Sequence, residues 1–196
     1  EDVIAFDTGP GNLLIDAVVR ELLGDDQAFD RDGSYSQLGE VDEELLGSLL
    51  AMEYLRLPPP KTTGRELFGE GMSRRLIEGY DRERLIDLLA TVVRFTAVSI
   101  ANAYRDFVVD RYEIAEVIVS GGGVHNRTLM SALERELDGL SIPLRTFADT
   151  KSGFTADAKE AVAFAMLANE TVQGKPSNLP AATGARGPVI LGKIVL

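Results

Sequence analysis

The sequence predicts an α/β protein in which a short central sheet is accompanied by many helices. Two short apolar runs containing β-branched residues, at 3–6 and 114–120, are typical of buried strands. Each run ends in a glycine turn, and a helical pattern begins soon after that turn. Because helical periodicity covers far more of the chain than strand periodicity, we expect helices to dominate the fold.

The elements follow in chain order from hydrophobic spacing and turn residues. After the strand at 3–6, apolar residues at helical spacing predict a helix over 13–23, and turn signals mark the polar stretch 25–40. Asp42 is expected to cap a helix over 42–55. Further helices are predicted over 65–78, 81–110, 126–137 and 157–173, and further strands over 114–120, 144–147 and 189–191.

The composition is that of a soluble globular chain, and it excludes several classes of function. With 196 residues, of which 45% are hydrophobic, the chain can form one domain or a large part of a bigger one. The net charge of −11 argues against a nucleic-acid partner. The absence of cysteine and the single histidine exclude disulfides, zinc–thiolate sites and sites with several imidazoles. A cysteine-free chain fits a reducing compartment, and we expect a cytoplasmic protein.

The start of the chain is also informative. It begins without Met and enters an apolar run at once, so we expect a cut or processed chain. It has no basic signal peptide, and we expect no apolar stretch of the ~18 residues that span a bilayer, hence no membrane partner. The proline run at 58–60 is the only candidate linker, and we interpret it as a rigid bend inside one domain.

The first candidate site is the turn that carries Asp7, Gly9, Gly11 and Asn12. The predicted strand delivers a carboxylate to its carboxyl end, the edge where open α/β sheets bind ligands. The glycines let a ligand approach the backbone, and the following helix offers free N–H groups. In this position Asp7 can accept a proton from a hydroxyl or a water. The alternative, that Asp7 or Asn12 only caps the helix, is equally compatible with the spacing.

The second candidate site is the glycine run Gly121, Gly122 and Gly123, which is followed by His125 and Asn126. A strand, a glycine run and a helix in this order can hold a nucleotide, because the exposed backbone leaves room for a flat base or a phosphate. The run is neither a Walker A loop nor the dinucleotide fingerprint. The alternative is a tight connection with Asn126 as the N-cap, and His125 is interpreted as exposed or hydrogen-bonded rather than catalytic.

Three weaker clusters complete the candidates. Asp157 and Glu160 have the spacing of a capping box, and capping alone would explain both. The loop at 61–65 can bind an anion or a sugar, although a solvated loop is the simpler interpretation. Asp30 and Asp32 are interpreted as solvated acidic surface, because their spacing fits no calcium loop, and we predict no protein metal site.

Six motifs stand in a characteristic order along the chain. They are Phe-Asp-Thr-Gly-Pro-Gly-Asn-Leu-Leu-Ile-Asp-Ala (6–17), Pro-Pro-Lys-Thr-Thr-Gly-Arg-Glu-Leu-Phe (59–68), Ser-Gly-Gly-Gly-Val-His-Asn-Arg-Thr-Leu-Met (120–130), Asp-Ala-Lys-Glu-Ala-Val-Ala-Phe-Ala (157–165), Asn-Leu-Pro-Ala-Ala-Thr-Gly-Ala (178–185) and Leu-Gly-Lys-Ile (191–194). Together they resemble the C-terminal half of the anhydro-N-acetylmuramic acid kinases over essentially the whole chain. Only the loop at 124–128 departs from the family pattern in detail.

The resemblance implies that residues 1–196 are the C-terminal, nucleotide-binding lobe of an actin-like (ribonuclease H-like) sugar kinase. It implies ATP and Mg²⁺ as cofactors and 1,6-anhydro-N-acetylmuramic acid from cell-wall turnover as substrate, with water opening the anhydro bridge while O6 is phosphorylated. A homodimer is compatible with it. By motif position, Asp7 corresponds to the general base, Gly121, Gly122, Gly123 and Asn126 to the adenosine-binding turn, and Gly9, Gly11, Asn12 and Glu160 to substrate-binding positions.

Two alternatives stay open. The resemblance places the first phosphate-binding hairpin outside this sequence, so the chain alone is expected to be inactive and could serve as a stand-alone nucleotide-binding or interaction domain. The protein could also be a kinase of the same superfamily for another sugar, against which the segment at 59–65 argues mildly.

Overall fold

The computed structural model describes residues 3–150, 155 and 158–194 of the chain. The helices in this part of the chain are α1 (Leu13–Leu23), α2 (Glu43–Leu50), α3 (Glu53–Arg56), α4 (Arg65–Phe68), α5 (Glu70–Glu78), α6 (Leu85–Phe107), α7 (Arg127–Asp138), α8 (Lys159–Val172) and α9 (Pro180–Thr183). Short 3₁₀ turns occur at Arg31–Gly33, Ser36–Leu38, Arg82–Arg84, Gly122–His125 and Phe147–Asp149.

Two short strands, β1 (Val117–Val119) and β2 (Leu144–Thr146), pair in parallel. Val117 lies opposite Leu144, and Val119 lies opposite Thr146. Parallel neighbours need a crossover connection, which α7 supplies here. The strands predicted over 114–120 and 144–147 are therefore confirmed in shortened form, and the α/β class is confirmed.

Helix α6 forms the centre of the hydrophobic core and packs against α1, α2 and α7. Apolar residues recur along it at three- and four-residue spacing, so that Leu88, Val92 and Phe95 are fully buried. Burying each such side chain contributes about 1.5–3 kcal/mol of stability by removing apolar surface from water. The predicted helix over 81–110 is thus confirmed, with a 3₁₀ turn at its start.

The segment Arg82–Phe107 is long and apolar enough to cross a bilayer by length and composition, contrary to the expectation that no such stretch exists. However, 67% of its most apolar window is buried inside the protein. A core helix meets the same criterion, and the packing of α6 against three other helices accounts for its apolar character.

Two helices, α2 and α7, begin at predicted capping residues. The Asp42 carboxylate accepts a hydrogen bond from the Leu45 N–H at 2.9 Å, and α2 begins directly after it. This bond, together with a hydrogen bond from the Tyr80 hydroxyl, holds the pKa of Asp42 below its usual value. Asn126 caps α7 through the N–H of Leu129 at 2.9 Å.

The predicted strands at 3–6 and 189–191 are wrong. Neither segment is paired as a strand within the described part of the chain, and Val3 and Ile4 are each 39% exposed. An apolar run becomes a strand only where a neighbour completes its backbone hydrogen bonds. The run at 3–6 instead leads into Asp7, whose N–H donates to the carbonyl of Lys61 at 3.2 Å.

Two predicted helices are each divided. The helix over 42–55 is interrupted at Ala51 and Met52, because the ψ of Met52, 134°, is not helical. The helix over 65–78 is interrupted at Gly69, where a Cβ would lie 2.2 Å from the Arg65 carbonyl oxygen. The predicted helix over 157–173 is observed as α8, which begins at Lys159.

Candidate functional site

Asp7 is held by the loop that follows the proline run. The Thr62 hydroxyl donates to Asp7 Oδ2 at 2.7 Å, and the Thr63 N–H donates to the same oxygen at 2.9 Å. Within the part of the chain that the structure describes, Oδ1 of Asp7 accepts no hydrogen bond, and the residue is exposed. The carboxylate is therefore oriented through one oxygen and open through the other, an arrangement suited to accepting a proton.

The turn after Asp7 rests on the central helix. A Cβ added at Gly9 would lie 2.7 Å from Ser99 Oγ, so the close approach of this turn to α6 requires glycine. The Thr96 hydroxyl donates to the Gly11 carbonyl at 3.1 Å. Gly11 has a φ of +55°, a left-handed conformation that glycine adopts without strain. Both predicted glycines thus shape the turn between Asp7 and α1.

Asn12 joins the two glycine elbows that sequence spacing could only treat separately. Its side chain makes no capping hydrogen bond to α1. Instead, Asn12 Oδ1 would lie 3.3 Å from a Cβ at Gly123, and Asn12 Nδ2 would lie 3.8 Å from a Cβ at Gly122. The capping alternative for Asp7 and Asn12 is therefore not found, and the structure places the start of α1 beside the second glycine run.

The second elbow follows β1 and leads into α7. Gly121 has a φ of +90°, which residues with side chains rarely adopt. Gly121 and Gly122 are exposed, and Gly123 is half-buried against Asn12. The backbone at the first two glycines is accordingly accessible to a ligand.

A cleft of about 610 Å³ is lined by the start of α1, by the loop at 28–32 and by this elbow. This volume lies within the roughly 300–1,000 Å³ range of small-molecule sites. The Phe29 ring at its wall is 50% exposed and offers an apolar face to a flat ligand. Burial raises the pKa of Asp16, and the nearby Arg20 opposes that shift. Asn12 and Asp16 line the cleft from the start of α1, and Gly122 and His125 line it from the second elbow.

Asn126 is 7% exposed and has a structural role, as its capping alternative predicts. Besides capping α7, its Nδ2 lies 3.5 Å from Asp30 Oδ2. Asp30 is 3% exposed, so its interpretation as a solvated residue is wrong. It accepts hydrogen bonds from the N–H groups of Tyr35 and Ser36 and from the Ser36 hydroxyl. No sequence pattern marks this set of donors, so sequence reasoning missed it.

The third cluster is only partly described. Asp157 lies outside the described residues. Glu160 is exposed in the first turn of α8 and makes no hydrogen bond or ion pair with the described residues. Its neighbour Lys159 donates to Ser120 Oγ at 2.5 Å, so α8 begins beside the end of β1. No described contact joins Glu160 to the Asp7 elbow.

Tyr54 and Lys61 support the Asp7 loop from the protein side. The Tyr54 hydroxyl donates to the Asp7 carbonyl at 2.9 Å, and burial, with Asp7 and Glu66 nearby, raises the pKa of Tyr54 to about 12. Lys61, expected in a solvated loop, is half-buried, and burial lowers its pKa while Asp106 opposes the shift. The interpretation of Lys61 as a solvated residue is therefore wrong.

No three His, Asp or Glu side chains among residues 3–150, 155 and 158–194 are grouped so that they could hold a metal ion. These residues therefore offer no cage of three protein ligands to a metal ion.

Comparison with known proteins identifies one family. The family model described as anhydro-N-acetylmuramic acid kinase matches residues 1–196. A curated relative of that name from Caldanaerobacter subterraneus subsp. tengcongensis is 44% identical over 198 residues, covering 100% of this chain and 49% of the relative. Another from Bacillus cereus strain AH187 is 43% identical over 194 residues, covering 99% of this chain and 50% of the relative. The chain spans about half the length of the curated relatives it matches. With a match over its full length, the chain belongs to the anhydro-N-acetylmuramic acid kinase family.

Proposed function

We propose that the intact protein uses ATP to phosphorylate O6 of 1,6-anhydro-N-acetylmuramic acid while water opens the anhydro bridge. Family membership supports the reaction class. The observation that carries the residue assignment is the Asp7 carboxylate, which is fixed at Oδ2 by two donors and is exposed. A base must be oriented and must also keep a free lone pair, and Asp7 meets both conditions.

The reaction balances with Asp7 as the general base. Asp7 Oδ1 accepts a proton from water as the water oxygen forms a bond to C1 of the sugar. The C1–O6 bond breaks, and O6 takes its electron pair and forms a bond to the γ-phosphorus of ATP. ADP leaves with the electron pair of the cleaved P–O bond. The products are N-acetylmuramic acid 6-phosphate, ADP and the proton carried away from Asp7.

We assign the nucleotide to the cleft between α1 and the second elbow. Gly121 and Gly122 supply accessible backbone for the adenosine, the half-buried Gly123 completes the turn, and the exposed face of Phe29 suits a flat base. Asn126 holds this turn in place by capping α7, and we assign it no direct contact with the nucleotide. We also propose Mg²⁺ as a cofactor on the strength of the family resemblance alone, and the proton transfer assigned to Asp7 does not pass through it.

The sugar is assigned to the side of the turn where Asp7 is exposed. Gly9 and Gly11 lie in the turn that joins Asp7 to Asn12, and Asn12 lines the nucleotide cleft, so we propose that the sugar binds along this turn. Glu160 remains a proposed sugar-facing carboxylate on the strength of motif position alone. We also propose that residues 1–196 form the nucleotide-binding lobe of an actin-like fold, which the succession of parallel strand, glycine turn and helix supports.

The test uses the intact protein, Asp7→Asn and the control Asp110→Asn, an exposed aspartate outside both elbows. We expect Asp7→Asn to lose at least about 100-fold in ADP release with the anhydro-sugar, because a general base contributes a factor of that order. Calorimetry should show retained ATP binding, and Asp110→Asn should keep its turnover.

Three other outcomes would contradict the proposal. Unchanged turnover in Asp7→Asn would remove Asp7 from the chemistry. ADP release with a different amino sugar, and none with the anhydro-sugar, would indicate another sugar kinase. Nucleotide binding by folded protein without turnover of any sugar would indicate a stand-alone binding domain.

A further inference from the structure

We propose that the segment 59–63, called the strap, is the positioning device for Asp7. Thr62 sets the orientation of the carboxylate, and Lys61 anchors the strap that carries Thr62. This inference rests on the proposed role of Asp7 as the base, and it extends that role to residues that do not touch the substrate.

The strap contacts Asp7 at three points. The Asp7 N–H donates to the Lys61 carbonyl at 3.2 Å, the Thr62 hydroxyl donates to Asp7 Oδ2 at 2.7 Å, and the Thr63 N–H donates to Oδ2 at 2.9 Å. The first contact fixes the backbone of Asp7 relative to the strap. The other two fix the rotation of its side chain, because both donors converge on a single oxygen. Neither strap donor binds Oδ1, and a small change in strap position would move this oxygen relative to a bound water.

Lys61 holds the strap through an aromatic and carbonyl cage. Its ammonium lies 4.8 Å from the centroid of the Phe107 ring, 4.9 Å from that of Tyr54 and 6.0 Å from that of Phe6. It also donates to the carbonyl of Tyr54 at 3.2 Å and to that of Leu55 at 3.0 Å, in the short helix α3. A cation over aromatic faces with two carbonyl acceptors is a favourable and directional anchor. The side chain is directed into the protein, so it is not the anion-binding group that the loop composition allowed.

The contacts form a closed ring. Tyr54 accepts from Lys61 through its carbonyl and donates to the Asp7 carbonyl through its hydroxyl. Lys61 continues into Thr62, which returns to the Asp7 carboxylate. The other charged groups that act on this ring are Glu66, near Tyr54, and Asp106, near Lys61. Because Asp7 is joined to the ring at its N–H, its carbonyl and its carboxylate, neither its backbone nor its side chain can shift independently of Lys61.

The experiment measures kcat and KM for ATP and for the anhydro-sugar in the intact protein. The central variant is Thr62→Val, which keeps the shape of the residue and removes the donor to Asp7. We expect kcat to fall about 10- to 100-fold, the effect of losing one hydrogen bond to a charged group, while both KM values stay within about twofold. Thr62→Ser restores a hydroxyl and should recover most of the lost kcat.

Two comparisons separate orientation from general damage to the loop. Thr63→Val removes a buried hydroxyl that has no partner in the described part of the chain and keeps the N–H that donates to Asp7, so Thr62→Val should lose more kcat than Thr63→Val. Lys61→Met should lower kcat with unchanged KM, whereas the exposed Lys175→Met should have no effect. Circular dichroism tests whether each variant is folded. If Lys61→Met does not fold, the comparison of Thr62→Val with Thr62→Ser decides alone.

The double variant Asp7→Asn/Thr62→Val distinguishes this inference from the proposed function. If Thr62 acts only through Asp7, the double variant should be no slower than Asp7→Asn, because residues that act as a unit are not additive. A multiplicative loss in the double variant, or full kcat in Thr62→Val while Asp7→Asn is inactive, would overturn the positioning role and leave the proposed function intact. Full activity in Asp7→Asn would instead overturn the proposed function.

Discussion

The buried carboxylate of Asp30 allows a sharp test of how the second elbow is held. Asp30 and Asp32 are two residues apart, yet Asp30 is 3% exposed while the side chain of Asp32 is 62% exposed. Changing each in turn to Asn makes the same chemical alteration in the two environments. Asp32 has a φ of +57°, which Asn tolerates, so the control introduces little backbone strain.

The expected magnitude follows from the donors around Asp30. Oδ1 accepts from the Tyr35 N–H at 3.0 Å, and Oδ2 accepts from the Ser36 N–H at 3.1 Å and the Ser36 hydroxyl at 2.6 Å. Whichever way an Asn side chain is placed, its NH₂ group faces at least one of these N–H donors. One buried donor left without an acceptor costs about 1–3 kcal/mol, and the remaining bonds lose their charge assistance. We therefore expect Asp30→Asn to lower the free energy of unfolding by about 2–4 kcal/mol.

The assay is urea unfolding of the intact protein and both variants, followed by circular dichroism. Asp32→Asn should change the free energy of unfolding by less than about 0.5 kcal/mol, because its ion pair with Arg127 is exposed and 3.9 Å long. Equal losses in the free energy of unfolding for the two substitutions would refute this prediction, because the expected difference comes from the burial of the hydrogen bonds around Asp30.

Three further predictions concern the surroundings of the two elbows. The phenol of Tyr54 should ionise at about pH 12, above the ordinary tyrosine pKa of 10.0. The protonated phenol therefore stabilises the fold fully below pH 10.0, and this contribution is lost as the pH rises through 12. In an ultraviolet titration, the ionisation step near pH 12 should be absent from Tyr54→Phe. Gly9→Ala should lower the free energy of unfolding in urea by about 1–3 kcal/mol, because its Cβ would lie 2.7 Å from Ser99 Oγ. Adding Ser99→Ala should restore part of that loss, and no recovery would show that this contact is not the cause. Asn126→Ala should cost about 1–2 kcal/mol through loss of the α7 cap, whereas an unchanged urea midpoint would show that the cap is dispensable.

Sequence pattern predicts the helices best where local signals agree with burial. The bounds of α1 are predicted correctly because its apolar spacing and Gly24 indicate the same residues, and α6 is recognised because its repeating apolar face is its buried face. The interruption at Gly69 could not be predicted, because glycine is compatible both with a helix and with the non-helical ψ of −151° that it has here. The composition of the segment 3–6 predicts a strand, but a strand also needs a partner.

In the candidate site, too, local features can be predicted from the sequence and contacts between distant segments cannot. The glycine elbows and Asp7 are visible in the sequence because each depends on neighbouring residues. The convergence of Asn12 on Gly123 and the contact of Thr62 with Asp7 join residues more than 50 positions apart, so spacing could not reveal them. The cage around Lys61 also depends on residues from three separate segments, which is why a basic loop residue was interpreted as solvated.

The most direct test of the central claim follows the oxygen of water through the reaction. The intact protein is given ATP and the anhydro-sugar in water labelled with heavy oxygen, and the products are analysed by mass spectrometry. The account predicts label on C1 of N-acetylmuramic acid 6-phosphate, none on its phosphate, and loss of this product in Asp7→Asn. Label on the phosphate, or an undiminished rate of labelled product from Asp7→Asn, would contradict the assignment of Asp7 as the base that activates water.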